Sequence, residues 1–316
     1  MNAGRWRLRR LRPKGVGPLE VWDLPAEGKE LWEILGVPRL DAMRREGRGD
    51  DAIGPVMGAS LASAIADLRH GYRFEILFVG GGLLELPGLE AAVRRAGLPV
   101  SVSFSSDRAF VAEAGGRALL RENGGPDGIV VDVGQTSIKL SACGVRRVRE
   151  RDFETLPLRL IGTPRPRVTA AGTAVFAGFI ADAIAELLAA ASPRDPLLVL
   201  ALPCPLGDDL APGACTYGWE GHDALLPEAF RILDERFRPW PNAPRPEALV
   251  LNDAELAAVS ARAVLAPAAG TRVLVLTLGF GPGGALLGDS VPASEEPDAE
   301  RTNVRTGRTT VNRGEA

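Results

Sequence analysis

Short apolar runs alternate with longer helical patterns along most of this 316-residue chain, and this alternation limits the possible folds more than any other feature. The runs are strand-length and rich in Val, Ile and Leu, and the longer segments between them have a helical pattern. Such an alternation is typical of an α/β protein. We predict strands at 74–79, 99–104, 128–133, 137–143, 197–203, 247–252 and 271–279, and helices at 51–70, 88–96, 108–121, 173–191, 224–237 and 253–265.

Both ends of the chain differ from this pattern. The first residues carry a basic segment, RWRLRRLRPK, which we interpret as a solvated arm or an edge strand with arginines facing water, rather than as a nucleic-acid or partner patch. Residues 289–316 contain almost no large apolar side chains, so burial cannot offset the entropy lost on ordering, and we expect a disordered tail. Pro/Gly-rich stretches at 122–128 and 266–270 predict lobe boundaries.

Bulk composition argues against several classes of protein. The net charge of −3 gives no field that would attract nucleic acid or an anionic membrane. No apolar run approaches the roughly 20 residues of a membrane span, and the start lacks the apolar stretch of a secretory signal, so we expect a cytoplasmic protein. The three cysteines are widely spaced and odd in number, which favours reduced thiols, and no spaced Cys/His cluster predicts a zinc site.

The stretch VVDVGQTSIKL at 130–140 reads as a phosphate-binding hairpin. A carboxylate at the end of a strand, Asp132, can hold Mg²⁺ through water, while backbone N–H groups in the turn face phosphate oxygens. Gly134 allows a close approach of the backbone to a ligand. The candidate contacts in this hairpin are Asp132, Gly134, Gln135, Thr136 and Lys139.

Two further glycine-rich turns follow apolar strands. LTLGFGPGGALL at 276–287 repeats the strand–turn–strand pattern, and two such hairpins facing each other could clamp a polyphosphate. FVGGGLLELPGLEAAVRRAG at 78–97 places a glycine triplet between a strand and a helix, where a ligand can contact bare backbone. The candidate residues are Gly279, Gly281, Gly283 and Gly284 in the first turn and Gly80, Gly81 and Gly82 in the second.

The stretch VLNDAELAAVSARAV at 250–264 places Asn252 and Asp253 where a strand meets a helix. Asp253 suits either a helix cap or a catalytic base. Each of these features also has a purely structural interpretation, since glycines shape hairpins and aspartates form turns. Only their joint occurrence points to a site.

Together these segments resemble the superfamily of sugar kinases, heat-shock chaperones and actin, and within it the ROK (repressor, open reading frame, kinase) branch. DVGQTSIK resembles the first phosphate motif of that family, LGFGPGGAL the second, VGGGLLELPGL the adenosine motif, and LNDAELAA the segment with the catalytic aspartate. The stretch from Leu200, with a Pro203-Cys204-Pro205 turn, is similar to the sugar-side loop.

The resemblance implies a two-lobed actin-like ATPase fold, related to ribonuclease H, with its motifs in circularly permuted order. The adenosine motif comes first here, and the second phosphate motif comes last. Lobe I is then 126–268, and lobe II is 269–288 joined in space to 1–125. Permutation preserves a fold where the original termini lie close together.

The resemblance also implies roles and ligands. ATP and Mg²⁺ are the implied cofactors, Asp132 the magnesium residue and Asp253 the general base that accepts the proton of a sugar or polyol hydroxyl. Asn252 and Trp219 are implied near the substrate, and Gly115, in the helix at 108–120, beside the adenine. The implied partners are a nucleotide and a small-molecule substrate, without nucleic acid or membrane, and we keep a homodimer as a candidate assembly.

One departure leaves two functions open. Phe280 stands where the second phosphate motif of the family has a hydroxyl residue, so a phosphate donor is lost and a bulky ring is added. The cysteine cluster and the sugar-binding Glu-Gly-His element of the ROK branch have no counterpart after the second motif, and we read Glu220-Gly221-His222 as a coincidence. Asp132 and Asp253 favour an ATP-dependent carbohydrate kinase, whereas Phe280 favours a catalytically weak or inactive regulatory protein that binds a nucleotide or sugar.

Overall fold

A computed structural model describes residues 4–19, 25–26, 29–158, 168–238, 240–242 and 245–288. They form an α/β structure with one six-stranded mixed sheet, one five-stranded mixed sheet and one small sheet of two strands with two residues each. The strands are β1 (Arg7–Arg10), β2 (Val16–Leu19), β3 (Pro25–Ala26), β4 (Lys29–Glu30), β5 (Ile76–Gly80), β6 (Ser101–Phe104), β7 (Ile129–Val133), β8 (Ser137–Ala142), β9 (Val145–Glu150), β10 (Leu197–Leu202), β11 (Glu247–Asn252), β12 (Val273–Leu278) and β13 (Pro282–Leu287). The α-helices are α1 (Leu31–Leu35), α2 (Val37–Arg45), α3 (Asp50–Gly71), α4 (Leu89–Arg95), α5 (Val111–Glu122), α6 (Ala170–Ala190), α7 (Leu225–Arg236) and α8 (Asp253–Leu265).

The two sheets repeat one arrangement of strands. The six-stranded sheet has the order β9-β8-β7-β10-β11-β1, and the five-stranded sheet has the order β2-β13-β12-β5-β6. In both sheets an antiparallel trio is followed by two parallel strands, β10 and β11 in the first and β5 and β6 in the second, and the first sheet has one further parallel strand, β1, at its edge. The helices fall in matching places, because α6, α7 and α8 follow the strands of the first unit as α3, α4 and α5 follow those of the second.

The chain order of the second unit differs from that of the first. Its first two strands, β12 and β13, come last in the described part of the chain, whereas its third strand, β2, lies near the amino terminus. The unit is therefore assembled from two segments that are distant in sequence. A hydrogen bond joins them where the Gly288 N–H donates to the carbonyl of Gly15, in the turn Pro13–Gly15, at 2.9 Å.

Helices α5 and α8 lie between the two sheets and pack on each other. Leu119 and Leu120 of α5 join a buried cluster with Val130 and other residues of the six-stranded sheet. Ala257, Ala258 and Ala261 of α8 join a cluster with the five-stranded sheet. Each unit thus places its last helix against the other unit, so the two units share one interface. The other faces of the sheets are covered by α6 and α7 on the first and by α1 and α3 on the second.

Local sequence explains the best-defined elements. Strand β7 is buried along its whole length, as a continuous apolar run predicts. Helix α8 begins with a capping box, in which the Asn252 side chain accepts from the helix backbone and Glu255 accepts from the Asn252 N–H. The Thr169 side chain caps α6. α6 is apolar and long enough to cross a bilayer, the sole candidate among the described helices, but nine of its residues are buried within the protein.

All seven predicted strands and six predicted helices are present, with small shifts at their ends. The prediction did not include β2, β9, α1 and α2. The basic amino-terminal segment forms an edge strand, β1, but its placement with 1–125 in lobe II is wrong for these residues, since β1 pairs with β11 of the other unit. The expected arginines facing water are confirmed for Arg7 and Arg9, but not for Arg5 and Arg10, which form ion pairs and whose side chains are only 19% and 7% exposed. The tail prediction for 289–316 lies outside the described residues.

Candidate functional site

Asp132 and Asp253 lie at the same edge of the six-stranded sheet. Asp132 is near the carboxyl end of β7 and Asp253 directly follows β11, with the parallel strand β10 between them. Burial and the negative charge of Asp132 raise the pKa of Asp253 from 3.8 to about 7. The carboxylates are therefore close enough to repel each other, so the fold unites two residues that are 121 positions apart in the sequence.

Lys139 is the positively charged residue that acts on both of these carboxyl groups. It lies opposite Asp132 across the β7–β8 hairpin. Its charge lowers the pKa of both carboxyl groups, but burial dominates and the pKa of Asp132 remains above its ordinary value. Asp132 is 8% exposed, and Asp253 is partly accessible to solvent. A carboxyl with a pKa near 7 can exchange a proton at neutral pH, as general acid–base chemistry requires.

The first glycine turn, between β7 and β8, is held by hydrogen bonds to the loop that follows β10. The Gln135 side chain donates to the Pro203 carbonyl at 3.0 Å and accepts hydrogen bonds from the Thr216 hydroxyl and N–H. The Tyr217 hydroxyl donates to the Gly134 carbonyl at 2.7 Å. The Gln135 side chain thus has a structural role, and its contact to a ligand stays a prediction. The Thr136 side chain has no such role among the described contacts, so its hydroxyl stays a candidate donor.

Arg151 is a buried residue that sequence reasoning missed. Its guanidinium donates to the carbonyl of Gln135 at 2.8 Å and to that of Pro157 at 2.7 Å, and its Cζ lies 3.7 Å from the centre of the Tyr217 ring. It therefore fixes the first turn to the segment after β9. No local pattern marks this arginine, because its partners come from three separate loops.

The second glycine turn and the glycine triplet are neighbours. Thr277 of β12 pairs with Gly283 on one side and with Gly80 on the other. Gly81 has a φ of 108°, and a Cβ there would lie 2.4 Å from the Leu278 carbonyl oxygen, so only glycine fits between these backbones. A Cβ on Gly283 would lie 3.9 Å from the Cβ of Ala254, the residue after Asp253. The second turn thus reaches the start of α8, whereas a Cβ on Gly80 of the triplet would meet Val111 of α5.

The tips of these turns are open. A Cβ on Gly82, Gly279 or Gly281 would meet no atom of the described structure within 4 Å. Gly284 instead lies inside β13, paired with Leu276 and Leu19, and its backbone is part of the sheet. The predicted ligand contact at Gly284 is therefore wrong, whereas the tips leave backbone groups accessible to an anion.

Phe280 connects the second turn with α2. Its carbonyl accepts the Val37 N–H at 2.8 Å, at the first residue of that helix. Its side chain borders a cavity of about 680 Å³. The other lining residues are Pro38, Asp41, Arg44 and Arg45 of α2 and Leu158 of the other unit. Phe280 thus lies beside an open pocket that is lined by residues of both units.

Three predicted contacts to ligands are wrong. Gly115 is buried against α8, where its N–H donates to the Ser260 hydroxyl at 2.7 Å, so it does not face a cleft. The Asn252 amide donates to the Cys204 carbonyl at 2.8 Å and its oxygen accepts the Ala254 N–H, so capping uses its polar groups. Trp219 is fully buried, stacked on Tyr217 with ring centres 4.5 Å apart, and offers no surface to a substrate.

The donor set of the site fits a hard cation held mainly through water. Across the described residues no group of three or more His, Cys, Asp or Glu side chains is placed to hold a metal ion. Among the described residues no hydrogen bond to the Asp132 carboxylate is present, and its nearest charged influence is Lys139. Cys204 and Cys215 are buried neighbours, and burial with the nearby Cys215 raises the pKa of the Cys204 thiol, which keeps it uncharged.

No protein-family model matches this chain, and no curated protein matches it either.

Proposed function

We propose that this chain is a nucleotide-dependent phosphotransferase with a two-lobed, circularly permuted actin-like fold, and that it acts on a hydroxyl of a sugar or related polyol. The observation that carries the proposal is the pair Asp132 and Asp253, which lie at one sheet edge, where the charge of Asp132 raises the pKa of Asp253. Structural aspartates at turns and caps do not require this proximity, whereas a magnesium residue and a general base do.

The repeated unit supports the fold. Two sheets with the same strand order, joined through α5 and α8, are what a two-lobed protein with a duplicated unit requires. The displaced segments of the second unit support a permutation, since β12 and β13 lie beside β2 although almost the whole chain separates them. Ligands of α/β folds bind beyond the carboxyl ends of parallel strands, which is where both aspartates lie.

Each residue then has a defined part. Asp253 accepts the proton of the attacking hydroxyl, for which it must be ionised, and Lys139 favours that ionised form. Mg-ATP supplies the transferable phosphoryl group when bound, and Asp132 with the Thr136 hydroxyl would hold it at the first turn. The open backbone at Gly279 and Gly281 lies where the second turn would face phosphate oxygens.

A second candidate is a catalytically weak or inactive protein that binds a nucleotide or sugar and acts as a regulator. Phe280 favours it, because the residue brings an aromatic ring to the second turn and its carbonyl is bound to α2. The Gln135 side chain forms hydrogen bonds within the protein, and this also favours the regulator.

Nucleotide binding and turnover separate the two candidates. We expect Mg-ATP to raise the melting temperature of the wild type and of the surface control Asp67→Ala, but not of Asp132→Ala. ATP turnover with a panel of sugars and polyols should be lost in Asp253→Asn, which keeps the ATP-dependent melting shift. Binding without turnover in the wild type would favour the regulator, and absence of any shift at millimolar Mg-ATP would contradict the kinase.

A further inference from the structure

The amino-terminal segment connects both units and contacts the helix that carries Asp253. Strand β1 pairs with β11, and β2 pairs with β13 of the other sheet. Between these strands the Lys14 carbonyl accepts a hydrogen bond from Arg262 of α8 at 2.9 Å. The segment therefore has a fixed position beside α8, and its side chains can act on the first turn of that helix.

Arg10 is the residue that does so. In register it pairs with Val250, two residues before the end of β11. Its Nη2 donates to Glu255 Oε1 at 2.8 Å, and the two side chains are only 7% and 2% exposed. This ion pair is much more buried than that of Arg9 and Glu247 on the same strands, for which the exposed fractions are 37% and 28%.

Glu255 connects this ion pair to Asp253. Its other carboxylate oxygen accepts the Asn252 N–H at 2.8 Å, which closes the capping box around Asp253 and Ala254. A buried carboxylate that loses its cation is destabilised, and the capping box that it closes would loosen. An uncompensated charge on Glu255 would also repel Asp253, two residues away.

We propose that Arg10 is a positioning residue for Asp253. It acts through Glu255, because it holds the Glu255 side chain in the capping box and neutralises the charge of Glu255. The catalytic consequence rests on the proposed function, whereas the effect on Asp253 itself does not. The charged groups that face Asp253 are Asp132 of β7, Lys139 of β8 and, when ionised, Cys204. Arg10 adds an indirect influence on the position and ionisation of Asp253, from a segment that is far away in sequence.

The experiment is a ¹³C NMR titration of the Asp253 carboxyl, assigned with Asp253→Asn, in four variants of the full chain. We expect Arg10→Met to raise the titration midpoint by about one pH unit, because a neighbouring anion loses its partner. Arg9→Met, which removes the exposed ion pair of the same strand, should leave the midpoint unchanged. Arg10→Lys should restore most of the wild-type value, and Arg10→Met with Glu255→Gln should restore it too, since glutamine also closes a capping box.

An unchanged midpoint in Arg10→Met would overturn the proposal, as would an equal shift in Arg9→Met or a shift that persists in the double variant. If Arg10→Met does not fold, Arg10→Gln takes its place, since glutamine removes the charge but can still donate a hydrogen bond to Glu255, and an unchanged midpoint in that variant would overturn the proposal. The pH dependence of ATP turnover is the second readout, and its acid limb should move with the NMR midpoint. Absence of turnover in the wild type would contradict the proposed function while the titration still tests the position of Asp253.

Discussion

Asp253→Asn should stabilise the protein in a pH-dependent way, because the native carboxylate lies in an unfavourable environment. The substitution removes the charge but keeps the local geometry, since Asp253 Oδ1 accepts the Ala254 N–H at 2.8 Å and an amide oxygen can do the same. Any gain in stability then reports the cost of ionising Asp253 in the folded state. The surface variant Asp67→Asn is the matched control.

The magnitude follows from the raised pKa of Asp253, which is about 7 in the folded protein against an ordinary value of 3.8. A carboxyl whose pKa is raised on folding binds its proton more tightly in the native state, so stability falls as pH rises from the unfolded to the folded pKa. The difference is roughly 3 units at about 1.4 kcal/mol each, or on the order of 4 kcal/mol. Because Asp253 is partly accessible to solvent, we expect a measured gain of about 2–4 kcal/mol.

Urea unfolding at pH 5, 6, 7 and 8 measures this gain. The difference in free energy of unfolding between Asp253→Asn and wild type should grow with pH up to about 7 and then level off. Asp67→Asn should show no such trend. A gain that is absent at pH 8, or one that is the same at all four pH values, would refute the reasoning that burial and Asp132 destabilise the ionised form.

Two further predictions concern the neighbours of the site and the interface between units. Lys139→Met should raise the pKa of Asp253, because the lysine charge lowers it in the native protein, and the acid limb of any pH–rate profile should move to higher pH; a limb that stays in place would show that Lys139 is too far from the carboxyl. Gly115→Ala should destabilise the fold by about 1–3 kcal/mol, since a Cβ there would lie 2.6 Å from the Leu256 carbonyl oxygen and from the Ser260 nitrogen. Thermal melting measures this loss. The control Gly82→Ala should be close to neutral, because a Cβ at Gly82 has open space around it.

Local patterns predicted the elements well because they depend on neighbours in sequence. The apolar run of β7 and the capping signal of α8 identify their elements without knowledge of the rest of the chain. The short helices α1 and α2 were missed, since they are held by contacts such as the Val37 hydrogen bond to Phe280 rather than by a strong helical pattern. The edge position of β1 is predictable from its charge, but its partner strand is not.

The sequence by itself determined the class of fold, the three glycine turns and the two aspartates, because strand-ending carboxylates and glycine tips are local chemical features. Only the tertiary structure decided which of those residues keep free polar groups. Gln135, Asn252 and Gly115 are used up by hydrogen bonds to residues that are 68, 48 and 145 positions away. The physical reason is that a hydrogen-bonding group satisfied inside the protein has little left to offer a ligand, and only the packing of distant segments determines which groups are satisfied.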